Sequence, residues 1–164
     1  MIEVECITTQ ILFHQYGIPY YLKIDIEGYD YLCIEAINEN AGLPLYVSCE
    51  STSLNLVHTL YSKGYRKFKM INQADNFRPL NISKEKSWVF PIYLKIKNGI
   101  LLRFQKYLPI KYPYSSSGPF GENTKGRWVS YEEMILMYQS FYGNGVRQEP
   151  VNQYSWFDFH AKID

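Results

Sequence analysis

The sequence predicts an α/β domain, with a mostly parallel sheet, helices on both faces of that sheet and an irregular C-terminal extension. Three observations lead to this fold class. In the first half of the chain, short apolar segments alternate with capped segments of helical periodicity. The apolar segments are nearly continuous, as in strands buried on both faces of a parallel sheet. The chain has 164 residues, 46% of them hydrophobic and 20% charged, which is enough to bury one ordinary core.

The first helix is predicted from its two ends. Residues 4–7 form a short apolar segment, Thr8 and Thr9 then offer an N-cap, and Gly17 ends the helix.

The next segments alternate in the order strand, helix, strand, helix, strand. The strands are predicted over residues 20–26, 45–49 and 66–71, and the helices over residues 29–40 and from a cap at 51–53 to Gly64. Residues 1–72 are therefore predicted to form a βαβαβ core with parallel crossovers.

Residues 73–129 lack this alternation. Asn-Gly at residues 98–99, between two apolar stretches within 92–104, predicts a β-hairpin, with a helix at the same place as the alternative. Residues 112–127 are rich in Pro, Gly, Ser and Asn and predict a long irregular loop.

Residues 130–164 are predicted to close the domain with a helix and a strand. Ser130 caps a helix that ends near Phe141. The alternating residues 156–160 predict a strand with one polar face. Because no internal repeat or linker divides the sequence, residues 1–164 are expected to form a single domain.

The balance of charge argues against some classes of function. The chain has 17 Lys and Arg against 16 Asp and Glu, a formal net charge of +1. Proteins that neutralise nucleic acids or anionic membranes show a clustered basic excess, so nucleic acid is not an expected partner. No apolar run reaches the roughly 18–20 residues of a membrane span. Residues 1–10 also lack the basic and apolar regions of a signal peptide, so a cytoplasmic location is expected.

Acidic residues follow two of the predicted strands. Asp25 and Glu27 end the first strand and precede Gly28, and Glu50 ends the second. Ligands of open parallel sheets gather beyond the carboxyl ends of the strands. These carboxylates could act as a general base, orient a hydroxyl group or bind a metal. The alternative is that Asp25 and Glu27 only cap the following helix.

The segment Tyr-Leu-Lys-Ile-Asp-Ile-Glu-Gly-Tyr-Asp at residues 21–30, after a helix and before a strand that ends in Glu50, resembles the FkbM family of S-adenosylmethionine-dependent methyltransferases. That family is characterised by a K-I-D-x-E-G segment on the fourth strand of a class I methyltransferase sheet, which is Rossmann-like. Four later segments also resemble the closing part of a bacterial subset of the family: residues 117–122, 126–128, 131–133 and 156–161. The resemblance covers both ends of the chain and implies a partial class I methyltransferase sheet.

The resemblance also implies an activity, the transfer of a methyl group from S-adenosylmethionine to a hydroxyl of a sugar or related small molecule. It makes Asp25 the expected base or hydroxyl-orienting residue, with Glu27 and Glu50 in support. Three further residues are expected to wall the acceptor pocket: Trp128, Trp156 and His160. Sugars bind well to aromatic faces with polar tips. For His160, an ordinary structural role is the alternative.

The sequence departs from the family in its cofactor motif. Class I methyltransferases carry a glycine-rich turn after the first strand and an acidic residue on the second strand for the ribose hydroxyls, and neither is found in this sequence. We therefore expect the chain to be the carboxyl-terminal half of such a fold, with the other half upstream or on another polypeptide, and to be inactive by itself. Two alternatives stay open. One is a non-catalytic remnant or interaction module, and the other is a metal hydrolase that uses the same acids, although no histidine lies near them in sequence.

A homo-oligomer is also expected. In the family's sheet the fourth strand lies beside the first, so residues 20–26 would expose an unpaired edge with apolar side chains. Residues 4–7 are too few to cover all of that edge. Association through it, with a contribution from the 16 tyrosines of the chain, would bury it.

Overall fold

The computed structural model describes residue 3 and residues 6–26, 28–50, 53–104, 106–107, 112, 118–143 and 156–164. Within these ranges the helices are α1 Thr9–Tyr16, α2 Asp30–Glu35, α3 Leu54–Lys63, α4 Ile82–Glu85, α5 Phe90–Phe104 and α6 Tyr131–Tyr142. The strands are β1 Tyr21–Ile24, β2 Tyr46–Glu50, β3 Lys67–Asn72, β4 Arg78–Pro79 and β5 Phe157–Lys162. Short 3-10 helices cover Glu39–Ala41 and Gly121–Asn123. The chain is therefore an α/β protein, as predicted.

Helices α1, α3 and α6 begin at the predicted caps, whereas the helix predicted over residues 29–40 is shorter, because α2 ends at Glu35 and a separate 3-10 helix follows at Glu39–Ala41. The Thr8 hydroxyl accepts the backbone N–H of Ile11 at 3.3 Å, and the Ser130 hydroxyl accepts that of Glu133 at 3.2 Å. These bonds satisfy N–H groups that the first turn of a helix leaves without partners. Gly64 ends α3 with a φ of 114°, a conformation that glycine adopts without steric cost.

The five strands form one sheet in the order β1-β2-β5-β3-β4. The sheet is mixed, so the prediction of a mostly parallel sheet is wrong. Of the described pairs, β1 and β2 are parallel, whereas β5 is antiparallel to both β2 and β3, and β3 is antiparallel to β4. The first three strands run in one direction, but β3 lies two positions from β2, and β5 fills the gap between them. A crossover helix between two strands predicts that they run in the same direction. It does not predict whether a strand from later in the chain, here β5, will lie between them.

The final strand is confirmed and has one polar face, as predicted, but it runs from Phe157 to Lys162 and that face is buried. β5 lies inside the sheet between β2 and β3, and all but the last of its residues are buried. Asp158 and His160, which form the predicted polar face, are only 2% and 3% exposed.

One face of the sheet packs against α2, α3 and α6 and forms the main core. Four buried residues lie side by side across this face, one on each of four neighbouring strands: Ile24 on β1, Cys49 on β2, Phe159 on β5 and Met70 on β3. Helix residues of the same cluster are Ile34, Leu56, Val57, Leu60, Met134, Tyr138, Phe141 and Tyr142. Since side chains alternate along a strand, the intervening residues point to the opposite face of the sheet, which is polar.

The predicted β-hairpin within residues 92–104 is wrong, because this segment belongs to helix α5. Phe90 and Leu94, four residues apart, are buried on one side of the helix. On the same side, Lys97 Nζ lies 2.8 Å from Asp75 Oδ1, and Asn98 Nδ2 donates to the Ala74 carbonyl at 3.3 Å. An Asn-Gly pair favours a hairpin only where the flanking residues alternate between apolar and polar. The residues that attach this segment to the protein are spaced three or four apart, as on one side of a helix.

No helix in the described ranges is both long enough and apolar enough to cross a membrane.

Candidate functional site

Two of the predicted acids lie together at one edge of the sheet. Asp25 follows β1 directly, and Glu50 is the last residue of β2. The register pairs Ile24 with Cys49, so the parallel strands place Asp25 beside Glu50. The side chain of Asp25 is 42% exposed and therefore accessible to a ligand. Glu27, the third predicted acid, lies outside the described residues.

A third carboxylate at this edge, that of Asp158, was not anticipated. β5 runs antiparallel and pairs Asp158 with Glu50 on one side and Ile71 on the other. We call Asp25, Glu50 and Asp158 the acidic edge. Lys23 connects two of its members, since its Nζ lies 3.1 Å from Asp158 Oδ2 and 3.7 Å from Asp25 Oδ2. Gln73 Nε2 donates a hydrogen bond to the other Asp158 oxygen.

Burial and ion pairing act in opposite directions on this group. Burial raises the pKa of Asp158 above its ordinary value, and the attraction and hydrogen bond of Lys23 only partly oppose this. Burial lowers the pKa of Lys23, but the charge and hydrogen bond of Asp158, with the charge of Asp25, outweigh it and raise that pKa. The two directions agree with the geometry, because Asp158 is the more deeply buried partner and loses more hydration. Lys23 therefore stays protonated and holds Asp25 and Asp158 in place.

Next to the acidic edge, four side chains cross the polar face of the sheet in one row. The register aligns Lys23, Ser48, His160 and Lys69 on β1, β2, β5 and β3. Ser48 shares a hydrogen bond of 2.6 Å with the hydroxyl of Tyr21. Two residues along a strand span about 7 Å, so His160 lies roughly that far from Asp158 on the same face.

His160 is held in its neutral form. Burial, together with the positive charges of Lys23 and Lys69, lowers its pKa to about 3. A neutral imidazole offers one donor and one acceptor nitrogen. At neutral pH this residue can therefore hydrogen-bond a hydroxyl group, but it does not contribute a charge.

Residues 118–128, which we call the cover segment, close the opposite end of the polar face. Phe120 stacks on Tyr21 with ring centroids 4.3 Å apart, and Lys69 Nζ donates to the carbonyl and hydroxyl oxygens of Thr124 at 2.9 and 2.8 Å. These contacts remove Lys69 from solvent. Burial therefore lowers its pKa.

Glu122 fastens the cover segment to the sheet. One carboxylate oxygen accepts from Lys162 Nζ at 2.9 Å and from the Tyr46 hydroxyl at 3.1 Å, and the other accepts from Trp128 Nε1 at 2.9 Å. The hydrogen bonds from Lys162 and Trp128 lower the pKa of Glu122 to about 2. At neutral pH Glu122 is therefore a carboxylate that binds three donors.

The three residues expected to wall a pocket occupy different positions. His160 lies on the polar face, in one row with Ser48 and Lys69. Trp128 belongs to the cover segment, and its ring lies 4.3 Å from Lys69 Nζ and 5.3 Å from Lys162 Nζ. Trp156 precedes β5 at the acidic edge, is 39% exposed and accepts the Gln73 backbone N–H through its carbonyl at 2.8 Å. The structure thus brings Trp156 to the edge with Asp158 and places Trp128 against the two lysines.

The alternative of helix capping is not seen for Asp25. Tyr29 is the N-cap of α2 and no side chain accepts a hydrogen bond there. Asp25 instead lies near Lys23. Among the residues that the structure describes, no three His, Cys, Asp or Glu side chains are grouped so that they could share a metal ion.

Sequence reasoning missed Lys23, Asp158 and Lys69, although a signal was present. Lys23 on β1 is two residues before Asp25, Lys67 and Lys69 are two residues apart on β3, and Asp158, His160 and Lys162 are spaced in the same way on β5. Polar residues at every second position of several strands indicate a shared polar face once those strands are known to lie in one sheet. That last condition was supplied by the tertiary structure.

Comparison with known proteins adds no relative. No family model, curated protein or solved structure matches this chain.

Proposed function

We propose that this chain forms the acceptor-binding part of an S-adenosylmethionine-dependent methyltransferase similar to the FkbM family, acting on a hydroxyl of a sugar or related small molecule. The observation that carries the proposal is the acidic edge. Adjacent parallel strands end in Asp25 and Glu50, at the edge where open α/β sheets bind their ligands.

Asp25 has the properties required of the base. An alcohol oxygen becomes a better nucleophile when a carboxylate accepts its proton. Asp25 is exposed, whereas Asp158 is buried with both carboxylate oxygens hydrogen-bonded. Asp158 is therefore a positioning residue, which acts by fixing Lys23 beside Asp25. Glu50 adds negative charge next to Asp25 and favours a neutral or cationic ligand at this edge.

The acidic edge suits a neutral polyol. Trp156 offers an exposed aromatic face there, whereas Ser48 and neutral His160 are buried and, in this proposal, support the polar face without touching the ligand. The ring of Trp128 is occupied by two lysines, so in this proposal it supports the cover segment.

The residues of this chain do not fit the cofactor. S-adenosylmethionine would supply the methyl group. The glycine-rich turn and the ribose-binding acid that hold it in class I enzymes are not in this sequence. We place no cofactor on these residues and assign them to acceptor binding and proton removal only.

A methyl-transfer assay tests the proposal. The protein encoded by the longest reading frame that contains this chain is incubated with labelled S-adenosylmethionine and a panel of sugars. We expect Asp25→Asn to reduce turnover by roughly 100-fold or more, since general base catalysis contributes about that much. Asp164→Asn is the matched control, because Asp164 is exposed and paired with Lys67 at the opposite edge of the sheet. Near-full activity of Asp25→Asn would show that Asp25 is not the base.

A second candidate function is an interaction module that pairs with another copy of itself. No described strand pairs with the outer side of β1, and Tyr20 and Ile26, which flank it, are exposed. Light scattering coupled to size-exclusion chromatography at about 100 micromolar is expected to show a dimer, because specific interfaces of standard size are tighter than this. Ile26→Lys should yield a folded monomer, and Leu136→Lys on the exposed side of α6 should leave the dimer intact. A monomeric wild-type protein would rule out this module.

A further inference from the structure

The outward side of α5 is apolar along its whole length. Every fourth residue from the turn before the helix to its last residue is large and apolar, and each is 46–81% exposed: Trp88, Ile92, Ile96, Ile100 and Phe104. Residues four apart are neighbours on a helix surface, and each step turns about 40° in one direction, so these residues form an oblique row along the outward part of α5. We call these five residues the α5 stripe. Since the helix has 15 residues and rises about 1.5 Å per residue, the stripe is a continuous surface about 22 Å long.

The helix is fixed with this stripe facing outward. Phe90 and Leu94 are buried on the opposite side. Lys97 and Asn98 attach that same side to Asp75 and to the Ala74 carbonyl. If α5 turned its apolar stripe toward the protein, Lys97 would lose its ion pair with the buried Asp75.

The charged residues of the segment that carries the stripe have one sign. Between Glu85 and Glu122 the sequence contains six Lys and Arg residues and no Asp or Glu. The exposed members in the described ranges are Lys86, Lys95, Arg103 and Lys106. The near-neutral charge of the whole chain, +1, therefore conceals a strongly basic segment that coincides with the exposed stripe.

We propose that α5 lies flat on an anionic lipid bilayer, with the α5 stripe in the boundary between headgroups and acyl chains. Helices that bind in this way combine an apolar side with Lys and Arg, and they carry aromatic residues that prefer the interface. Trp88 and the exposed Tyr93 and Tyr107 provide such residues along and beyond the helix. With 15 residues, α5 is too short to span a bilayer, which requires about 20.

The composition favours a membrane over a protein partner. Lysine is depleted at protein–protein interfaces, because its ammonium group is costly to dehydrate and its side chain to immobilise. At a bilayer surface the same lysines remain hydrated and each gains about 1 kcal/mol from anionic lipids. Lys95 and Arg103 flank the stripe, where they would reach the headgroups while the isoleucines enter the boundary.

Vesicle sedimentation tests the proposal with the chain as it is. Vesicles of equal parts phosphatidylcholine and phosphatidylglycerol are expected to sediment the protein, and vesicles of phosphatidylcholine alone to bind at least about tenfold less. Raising the salt concentration should weaken binding, because the charges involved are exposed. The tryptophan emission should shift to shorter wavelength on binding, and Trp88→Phe should remove that shift, since Trp88 is the tryptophan of the stripe.

Two double variants separate the stripe from its basic flank. We expect Ile96→Ser/Ile100→Ser and Lys95→Glu/Arg103→Glu each to lower the partition coefficient by at least about tenfold. All four side chains are exposed, so the fold should persist, as circular dichroism can verify. The matched controls are Leu136→Ser, an exposed leucine of α6, and Lys125→Glu, an exposed lysine of the cover segment. Both should bind vesicles as the wild type does.

Three results would overturn the proposal. The first is equal binding to anionic and neutral vesicles, or no binding to either. The second is unchanged binding of Ile96→Ser/Ile100→Ser. The third is an oligomer of the wild-type protein that this variant converts to a monomer, which would show that a second copy of the chain covers the stripe.

Discussion

Acidification from about pH 7 to about pH 4.5 is expected to lower the free energy of unfolding by roughly 2–3 kcal/mol through His160 alone. Burial, with the charges of Lys23 and Lys69, depresses the folded-state pKa of His160 to about 3. The unfolded chain titrates near the ordinary value of about 6.5. Between these two values the unfolded state binds a proton that the folded state does not. Stability is therefore lost as the pH falls below about 6.5, and the loss from this group stops near pH 3.

Urea unfolding at the two pH values measures the effect. His160→Gln should lose less stability on acidification than the wild type, because glutamine does not titrate. His14→Gln is the matched control, since His14 is exposed on α1, and it should behave as the wild type does. If His160→Gln does not fold, the NMR titration of the wild-type imidazoles replaces it. A His160 resonance that titrates near pH 6.5 in the folded protein would contradict the prediction.

Lys23→Leu is expected to destabilise the protein by roughly 2–4 kcal/mol. The substitution leaves the carboxylate of Asp158, which is 2% exposed, without its positive partner. An unpaired buried charge costs more than the ion pair contributes, so Lys23→Leu/Asp158→Leu should be more stable than Lys23→Leu alone. The single variant should also recover stability at acidic pH. Burial already raises the pKa of Asp158, and loss of Lys23 raises it further, so the carboxyl becomes protonated and neutral.

A double-mutant cycle by urea unfolding measures this coupling. Lys67→Leu is the control for loss of a lysine from a strand of the same sheet, because its pair with Asp164 is exposed on both sides. That variant should change stability by less than about 1 kcal/mol. A double variant less stable than Lys23→Leu would show that Asp158 stabilises the fold without Lys23.

The sequence alone predicted those elements whose causes are local. The caps at Thr8 and Ser130 and the stop at Gly64 are interactions within a few residues, and all three are present. The adjacency of Asp25 and Glu50 could also be predicted, because it requires only that β1 and β2 be parallel neighbours. Short crossovers make such neighbours the common outcome.

Tertiary structure decided the elements that depend on distant pairing. Lys23 and Asp158 are 135 residues apart in the sequence, and they meet only because β5 enters between β2 and β3. The same insertion buries His160 and lowers its pKa to about 3. α5 is a helix and not a hairpin because Asp75, outside the segment, anchors Lys97 on the side of Phe90 and Leu94. Local sequence patterns reflect interactions among a few neighbouring residues. The order of the strands and the burial of charged side chains depend instead on the free energy of the whole sheet.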